Sequence, residues 1–550
     1  MSAPAFSIYA TRRTFLPTLP RTWLAAAMLV VLALTIRFAF GTVADVAWMI
    51  DCNERWLLGA VPYRDFLEIN PPASLMLYWP AVAAARALGV PSEWGVLAFG
   101  FAVSAGAIGL SGLVLRGAPP LAASVPLAAI VALLVLPGES FCERDHLAAM
   151  LGLPFLAVAL ARAERTQVAE WTALLAGLGA GAMAAIKPPY AVIGVGVALY
   201  LARRVGWRAV LRAPEYYAAT VIGLVYVASI GPFFPAYVKD VLPLGVNVYV
   251  PLRESLATLA ASPGALIALF ILATAALTAS DRVTSPGLGI SLIATLGAGL
   301  AYFIQGKGWV YQAVPAMMFA TIAGGFALGE RETRPLGAIA AGAAAAGIAV
   351  PLLHSLGLAL FIGVAVGYAV EAARTRSASM DLQRLWRLAL AASIGAACGL
   401  CVIERPLTPA LEKQLADLGP HLKLGAISED MGLGFPLARR IGATWAMRTN
   451  SLFVNAGVAR LIAEHPRDSA LAARVRPYAE RETDELLADI AANRPDALLV
   501  GPVKTQLHAD LFADPRIQAA MADYRRIGAE SRPGYSAELW LRKDFSRTPN

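Results

Sequence analysis

Charge is scarce in this 550-residue chain: 15% of the residues are Asp, Glu, Lys or Arg, whereas 58% are hydrophobic. A soluble protein of this size does not carry so little charge, so the composition excludes that class and points to a polytopic membrane protein. Histidine is rarer still, five residues scattered along the chain, which argues against a multi-histidine metal site. The four cysteines, Cys52, Cys142, Cys398 and Cys401, show no metal-ligand spacing that includes histidine. The net charge of +8 is not a nucleic-acid footprint, because the arginines lie in short clusters between apolar runs, where they orient membrane spans. Neither a glycine-rich phosphate loop nor an internal repeat is present.

What the sequence does have is apolar runs. A helix needs ~20 apolar residues to cross the hydrocarbon core. Runs that meet or approach this lie at 22–42, 95–115, 119–137, 147–163, 169–186, 189–203, 215–235, 262–279, 284–304, 312–329, 335–350, 352–372 and 387–404, about thirteen in all. The first follows Arg12, Arg13 and Arg21, is too long for a signal-peptide core and lacks a small-residue cleavage motif, so a retained first span is expected. The run 73–90 is shorter and contains Tyr78, Trp79 and Pro80, which predicts a helix lying along the interface. With that run not spanning and the N-terminus inside, Arg116, Arg162, Arg165, Arg203, Arg204, Arg208, Arg212, Arg282, Arg331, Arg334, Arg374, Arg376, Arg384 and Arg387 all fall on the cytoplasmic side. The opposite, periplasmic face then receives the loops 43–94, 138–146, 236–261 and 305–311, with the Lys187-Pro188-Pro189 turn. It also receives a tail from about 405 to 550. The tail is charged and carries β-like runs (LKLGAIS, ALLVG, ELWLRK) separated by helical segments near 454–464 and 468–492, which predicts a small soluble α/β domain.

The chemistry-bearing residues gather on that face. The stretch DCNERWLLGAVPYRDFLEINPP, residues 51–72, carries Asp51, Glu54, Asp65 and Glu68. GESFCERDH places Glu139, Glu143, Arg144, Asp145 and His146 at the mouth of an apolar run. IKPPY holds Lys187, and QGKGWVYQ sets Lys307 between Gly306 and Gly308, followed by Trp309, Tyr311 and Gln312. A charge near hydrocarbon costs ~2.5–3.5 kcal/mol even on lenient scales, so ionisable groups there are paired or used. Taken singly, they read as interfacial anchors, with Trp309 and Tyr311 as aromatic-belt residues and Asp65 and Glu68 as loop structure. Taken together, opposite charges on several loops of one face suit transfer of a group from a lipid phosphate. In that chemistry a carboxylate accepts the acceptor hydroxyl's proton, and Lys and Arg neutralise the departing phosphate.

An acidic loop after the first span, ending in Pro71-Pro72 before an aromatic apolar helix, resembles the GT-C superfamily of polyprenyl-phosphate-dependent glycosyltransferases. Protein O-mannosyltransferases and the lipid A aminoarabinose transferase belong to it. Asp51 is the best match for the family's first acid and Glu143 or Asp145 for its second. Gly306-Lys307-Gly308-Trp309-Val310-Tyr311 with Pro315 looks like its later Lys…Tyr…Pro segment near the lipid phosphate. Two positions depart from the pattern. Cys52 follows Asp51 where Glu is common, so Glu54 shares or replaces that role. Asn70 stands before Pro71 where the aminoarabinose transferase type has Lys, so the phosphate is left to Lys307, Lys187 or Arg144.

The resemblance implies an α-helical polytopic membrane protein. A GT-C-like transmembrane domain is expected over 1–404, with its periplasmic loop at 43–94, and a C-terminal periplasmic α/β domain over 405–550. The implied activity is inverting transfer of a sugar from a polyprenyl phosphate to a lipid, glycan or protein acceptor in the bacterial inner membrane. Asp51, Glu54, Glu143 and Asp145 are the catalytic candidates. Arg144, His146, Lys187, Lys307, Tyr311, Gln312 and Glu68 are the binding candidates. No cofactor is expected, a divalent metal held by the acids being the less favoured variant. A non-catalytic scaffold or a flippase for lipid-linked sugars is the alternative. Cys52 and Cys142, each beside a candidate acid, are a candidate disulfide between the two acidic loops.

Overall fold

The computed structural model describes residues 19–279, 285–329, 336–375, 381–402, 408–419, 421–503, 505–533 and 535–546. Arg12, Arg13, Arg282, Arg331, Arg334 and Arg376, on which part of the orientation rests, lie outside them.

Each apolar run contains a helix. Among the described residues, eight helices are long and apolar enough to cross a membrane: Thr22–Phe40, Ser92–Gly117, Arg144–Ala163, Pro214–Phe233, Pro286–Gln305, Val310–Gly329, Leu336–Leu353 and Leu356–Thr375. Shorter apolar helices occupy Ser124–Val135, Glu170–Ile186 and Pro263–Thr278. The two remaining runs form Ala191–Val205 and Leu382–Leu400. Proline begins several of these helices, as Pro214, Pro263 and Pro286 do, because the first turn has no use for its missing N–H. Gly306 ends Pro286–Gln305 in the left-handed conformation, at φ 71°. Arg144–Ala163 and Val310–Gly329 are almost wholly buried at the centre of the bundle, whereas Thr22–Phe40 and Pro214–Phe233 expose most of their apolar surface. The run 73–90 divides at Leu77–Tyr78 into Pro72–Met76 and Trp79–Leu88, both too short to cross.

After the last apolar helix the character changes. Five strands, β1 (Lys423–Ser428), β2 (Thr444–Trp445), β3 (Ala497–Gly501), β4 (Tyr524–Arg532) and β5 (Tyr535–Arg542), form one sheet in the order β2-β1-β3-β5-β4. β1 pairs in parallel with β2 and β3, and β5 runs antiparallel to β3 and β4. β1, β3 and β5 are the three β-like runs of the tail. The helices Phe453–Glu464 and Ser469–Asn493 cross between β2 and β3.

This sheet is tied to the first polar loop. Arg55 donates to the carbonyls of Trp445 (2.7 Å) and Met447 (2.9 Å), and the Leu67 amide donates to Arg448 O at 2.7 Å. Arg439 grips Glu54 at 2.8 Å and also pairs with Glu93. The disulfide candidate is not formed: Cys52 and Cys142 are both buried free thiols. Cys142 turns its sulfur toward Val96 O and the Cα of Gly100, on the helix Ser92–Gly117, rather than toward Cys52.

Candidate active site

Asp45 sits in the first turn of the helix Ala44–Leu57. Its Oδ2 accepts a hydrogen bond from Arg144 Nη2 at 2.6 Å, and Arg144 Nη1 lies 3.4 Å from Glu68 Oε1. Glu68 is held in turn: Trp48 Nε1 donates to its Oε2 at 3.0 Å, and the Asn70 amide donates to Oε1 at 2.9 Å. Arg144 and Glu68 are nearly inaccessible, so this is a buried acid–Arg–acid triad. Removing one partner of such a set typically costs ~3–5 kcal/mol, because a charge is left stranded.

The next residue, Asp145, opens a second cluster. Asp145 is fully buried; Tyr190 donates to its Oδ1 at 2.6 Å and Lys187 Nζ lies 3.2 Å from its Oδ2. Lys187 also donates to Gln305 Oε1 at 3.1 Å and stands 5.9 Å from the Tyr311 ring centroid. Local sequence explains the placement: Pro188 and Pro189 force a break after Glu170–Ile186, leaving Lys187 extended at φ −140° and its side chain turned inward. Arg144 Nε and Gln312 Oε1 are buried with no hydrogen-bond partner. Orphans of this kind are rare in finished interiors and mark places where water or a ligand completes the set.

The sequence-derived candidates divide on this geometry. Glu68, Arg144, Asp145, Lys187 and Tyr311 come together. Glu143, at the N-cap position of Arg144–Ala163, is buried beside them. Gln312 lies on the same first turn as Tyr311. Asp51 and Glu54 face elsewhere. Six residues at ~100° each set Asp51 about 240° around the helix from Asp45. There Asp51 pairs with Arg55 at 2.7 Å, and burial pushes its carboxyl up. Glu54 serves the C-terminal sheet; burial pushes its carboxyl up, but hydrogen bonds from Arg439 and Ser92 more than offset this and hold it below its usual range. His146 accepts from the Cys142 amide at Nδ1 (3.1 Å) and donates from Nε2 to Leu133 O (2.9 Å), so both ring nitrogens are committed to backbone rather than to a ligand. Lys307 donates to the carbonyls of Tyr249 and Leu252 and lies 4.0 Å from the Tyr249 ring centroid. Burial, with Arg253 and Arg460 nearby, lowers its ammonium to about 8.

Three members of the clusters were not among the sequence candidates: Asp45, Tyr190 and Gln305. Asp45 had a signal, as the first acid after the first apolar run, three residues before the aromatic Trp48. Tyr190 closes the Pro-Pro-Tyr turn. Gln305 carries no local signal, since only the packing of distant helices brings it in. Among the described residues, no group of three or more His, Cys, Asp or Glu side chains is arranged to hold a metal ion.

No protein-family model and no curated protein matches the sequence. Solved structures do match the fold. The crystal structure of ArnT from Cupriavidus metallidurans bound to undecaprenyl phosphate superposes with a TM-score of 0.56 at 15% identity, covering 96% of this chain and 99% of that one. The apo state of the same protein gives a TM-score of 0.53 at 15% identity, covering 95% and 98%. The chain therefore shares the fold of ArnT over nearly its whole length.

Proposed function

We propose that this protein is an integral membrane glycosyltransferase that takes a sugar from a polyprenyl-phosphate donor and passes it to a hydroxyl of a lipid, glycan or protein at the periplasmic face of a bacterial inner membrane. The observation that carries this reading is the pair of adjoining buried clusters, Asp45–Arg144–Glu68 and Asp145–Lys187–Tyr190, at the helix ends of an ArnT-like fold. Acids and cations kept side by side without neutralising one another's roles suit a reaction in which a proton leaves one reactant as negative charge grows on another.

In this mechanism the acceptor hydroxyl attacks the anomeric carbon from the face opposite the phosphate. The new C–O bond forms as the old one to phosphate oxygen breaks, so the configuration inverts. The hydroxyl proton passes to a carboxylate, and the polyprenyl phosphate leaves with its negative charge facing Lys187 and Arg144. We assign the base to Asp45 rather than Asp51, because Asp45 shares Arg144 with the rest of the cluster whereas Asp51 is paired with Arg55 on another side of the helix. Arg144 orients Asp45 and offers its unpaired Nε to a phosphate oxygen. Lys187 is the point charge at the leaving group, oriented by Asp145 and Gln305. The C-terminal sheet, docked on the first polar loop, closes the acceptor side.

Radiolabelled sugar transfer from polyprenyl-phosphate donors, assayed in membranes, tests this assignment. Asp45→Asn is expected to lower kcat by about 10²–10⁴, the usual worth of a general base, at normal protein levels. Lys187→Met is expected to lose a comparable factor through the leaving group. Loss in Asp51→Asn with full activity in Asp45→Asn would return the base to Asp51. Transfer from no donor by the wild type would favour a scaffold or flippase.

A further inference from the structure

Between Pro214–Phe233 and Pro263–Thr278 the chain forms a strap with two π-helical turns, Tyr237–Val241 and Gly245–Tyr249. Such turns are uncommon and collect at functional sites. The second ends at Tyr249, whose ring lies against Lys307; Gln305, two residues before Lys307, accepts from Lys187 of the charged clusters. Unlike those groups, the Tyr249 hydroxyl has no hydrogen-bond partner among the described residues.

The strap is anchored from two sides. Lys307, on the reversal made by Gly306 (φ 71°) and Gly308 (φ 75°), donates to the carbonyls of Tyr249 and Leu252 at the end of the π turn and lies against the tyrosine ring. Those carbonyls have lost their helical partners, so an ammonium there answers a need of the backbone. The Glu254 amide reinforces the contact, donating to Gly306 O at 2.8 Å. On the other side Val248 and Leu252 pack against the helix Phe453–Glu464 so closely that a Cβ on Gly457 would lie 2.6 Å from Leu252 Cδ1. Arg460 adds an ion pair to Glu254 at 2.8 Å.

We propose that Tyr249 is a further substrate-contacting residue, donating its hydroxyl to an oxygen of the donor's phosphate–sugar head, and that Lys307 is a positioning residue that holds it there. This rests on the glycosyltransferase reading and gives Lys307 a task other than holding phosphate. A tyrosine hydroxyl donates equally well to a phosphate oxygen or a sugar hydroxyl, and the test separates the two.

The full-length protein in lipid nanodiscs is assayed for undecaprenyl phosphate binding and for transfer from a polyprenyl-phosphate sugar. Tyr249→Phe keeps the ring over Lys307 and is expected to unfold at the wild-type temperature. It should raise KM for the donor about tenfold, the worth of one hydrogen bond to a charged or strongly polar group, with kcat changed less than twofold. Lys307→Met should give a similar KM increase and faster hydrogen exchange over residues 245–252. The double variant should be no worse than the worse single one, because Lys307 acts through Tyr249. Weaker undecaprenyl phosphate binding in Tyr249→Phe places the bond on phosphate; unchanged lipid binding with a raised donor KM places it on the sugar. An unchanged KM in Tyr249→Phe overturns the contact, and a hundredfold loss in the double variant overturns the positioning role. Wild type that neither binds the lipid nor transfers sugar overturns the inference together with the glycosyltransferase reading. Lipid binding by wild type with an unaltered Tyr249→Phe overturns the inference alone.

Discussion

Arg144 shows how much one residue can organise. It stands at the first turn of a buried helix, spans Asp45 and Glu68, and sits next in sequence to Asp145 of the second cluster. Burial makes each of these charges costly alone and strongly coupled together. A different buried acid, Glu482, caps the helix Phe453–Glu464, accepting from the Val454 and Asn455 amides at 3.2 and 2.7 Å. Burial pushes its carboxyl from 4.5 up to about 7 in spite of those bonds. A carboxyl raised in this way keeps its proton longer in the folded state than in the unfolded one. The stability it contributes is therefore fully present below 4.5 and lost as pH rises through about 7. Glu482→Gln should flatten that part of the stability–pH curve, as measured by thermal unfolding at a series of pH values. An identical slope in wild type and variant would refute the assignment.

At the scale of elements, three helices near the C-terminal end of the membrane bundle, Leu336–Leu353, Leu356–Thr375 and Leu382–Leu400, pack through small residues. A Cβ on Gly395 would lie 1.9 Å from Ala343 O, so the two backbones touch there with no room for a side chain. Such contacts suit lipid, where close backbone packing supplies the association that hydrophobicity supplies in water. Gly395→Leu should separate the pair and cost at least the ~1–3 kcal/mol of ordinary overpacking. A detergent melt of the purified variant reads this, and an unshifted midpoint would contradict the close crossing.

At the scale of the whole molecule, the C-terminal sheet is bound to the same polar loop that begins the site. Arg439 reaches from just after β1 to Glu54 and Glu93, while Arg55 donates back to the carbonyls of Trp445 and Met447. The pairs are only partly buried, so losing the guanidinium in Arg439→Met is expected to cost about 1–3 kcal/mol rather than the full value of a buried pair. Limited proteolysis should then cut residues 408–546 faster than in wild type, with transfer reduced in parallel. Unchanged cleavage would show that the apolar contact between Trp48 and Phe435, ring centroids 5.4 Å apart, holds the two parts without help.

The sequence by itself determined the class of protein, the apolar helices and most members of the buried charged clusters. Those depend on local quantities: long runs of low charge, proline and glycine at helix ends, and the short apolar β-like runs of the tail. Arg144, Asp145, Lys187, Glu68 and Tyr311 were legible because charged residues beside apolar runs stand out in any frame. Tertiary structure decided which acid faces them. The linear reading favoured Asp51 and passed over Asp45; the two differ by the turn of a helix whose orientation is set by Arg144 and by β2. Tertiary structure also decided that His146, Glu54 and Lys307 serve the backbone and the C-terminal region, and that Tyr190 and Gln305 complete the second cluster. Hydrogen-bond partners more than a hundred residues apart leave no mark on local sequence. The burial that makes each partner necessary exists only once the bundle has closed.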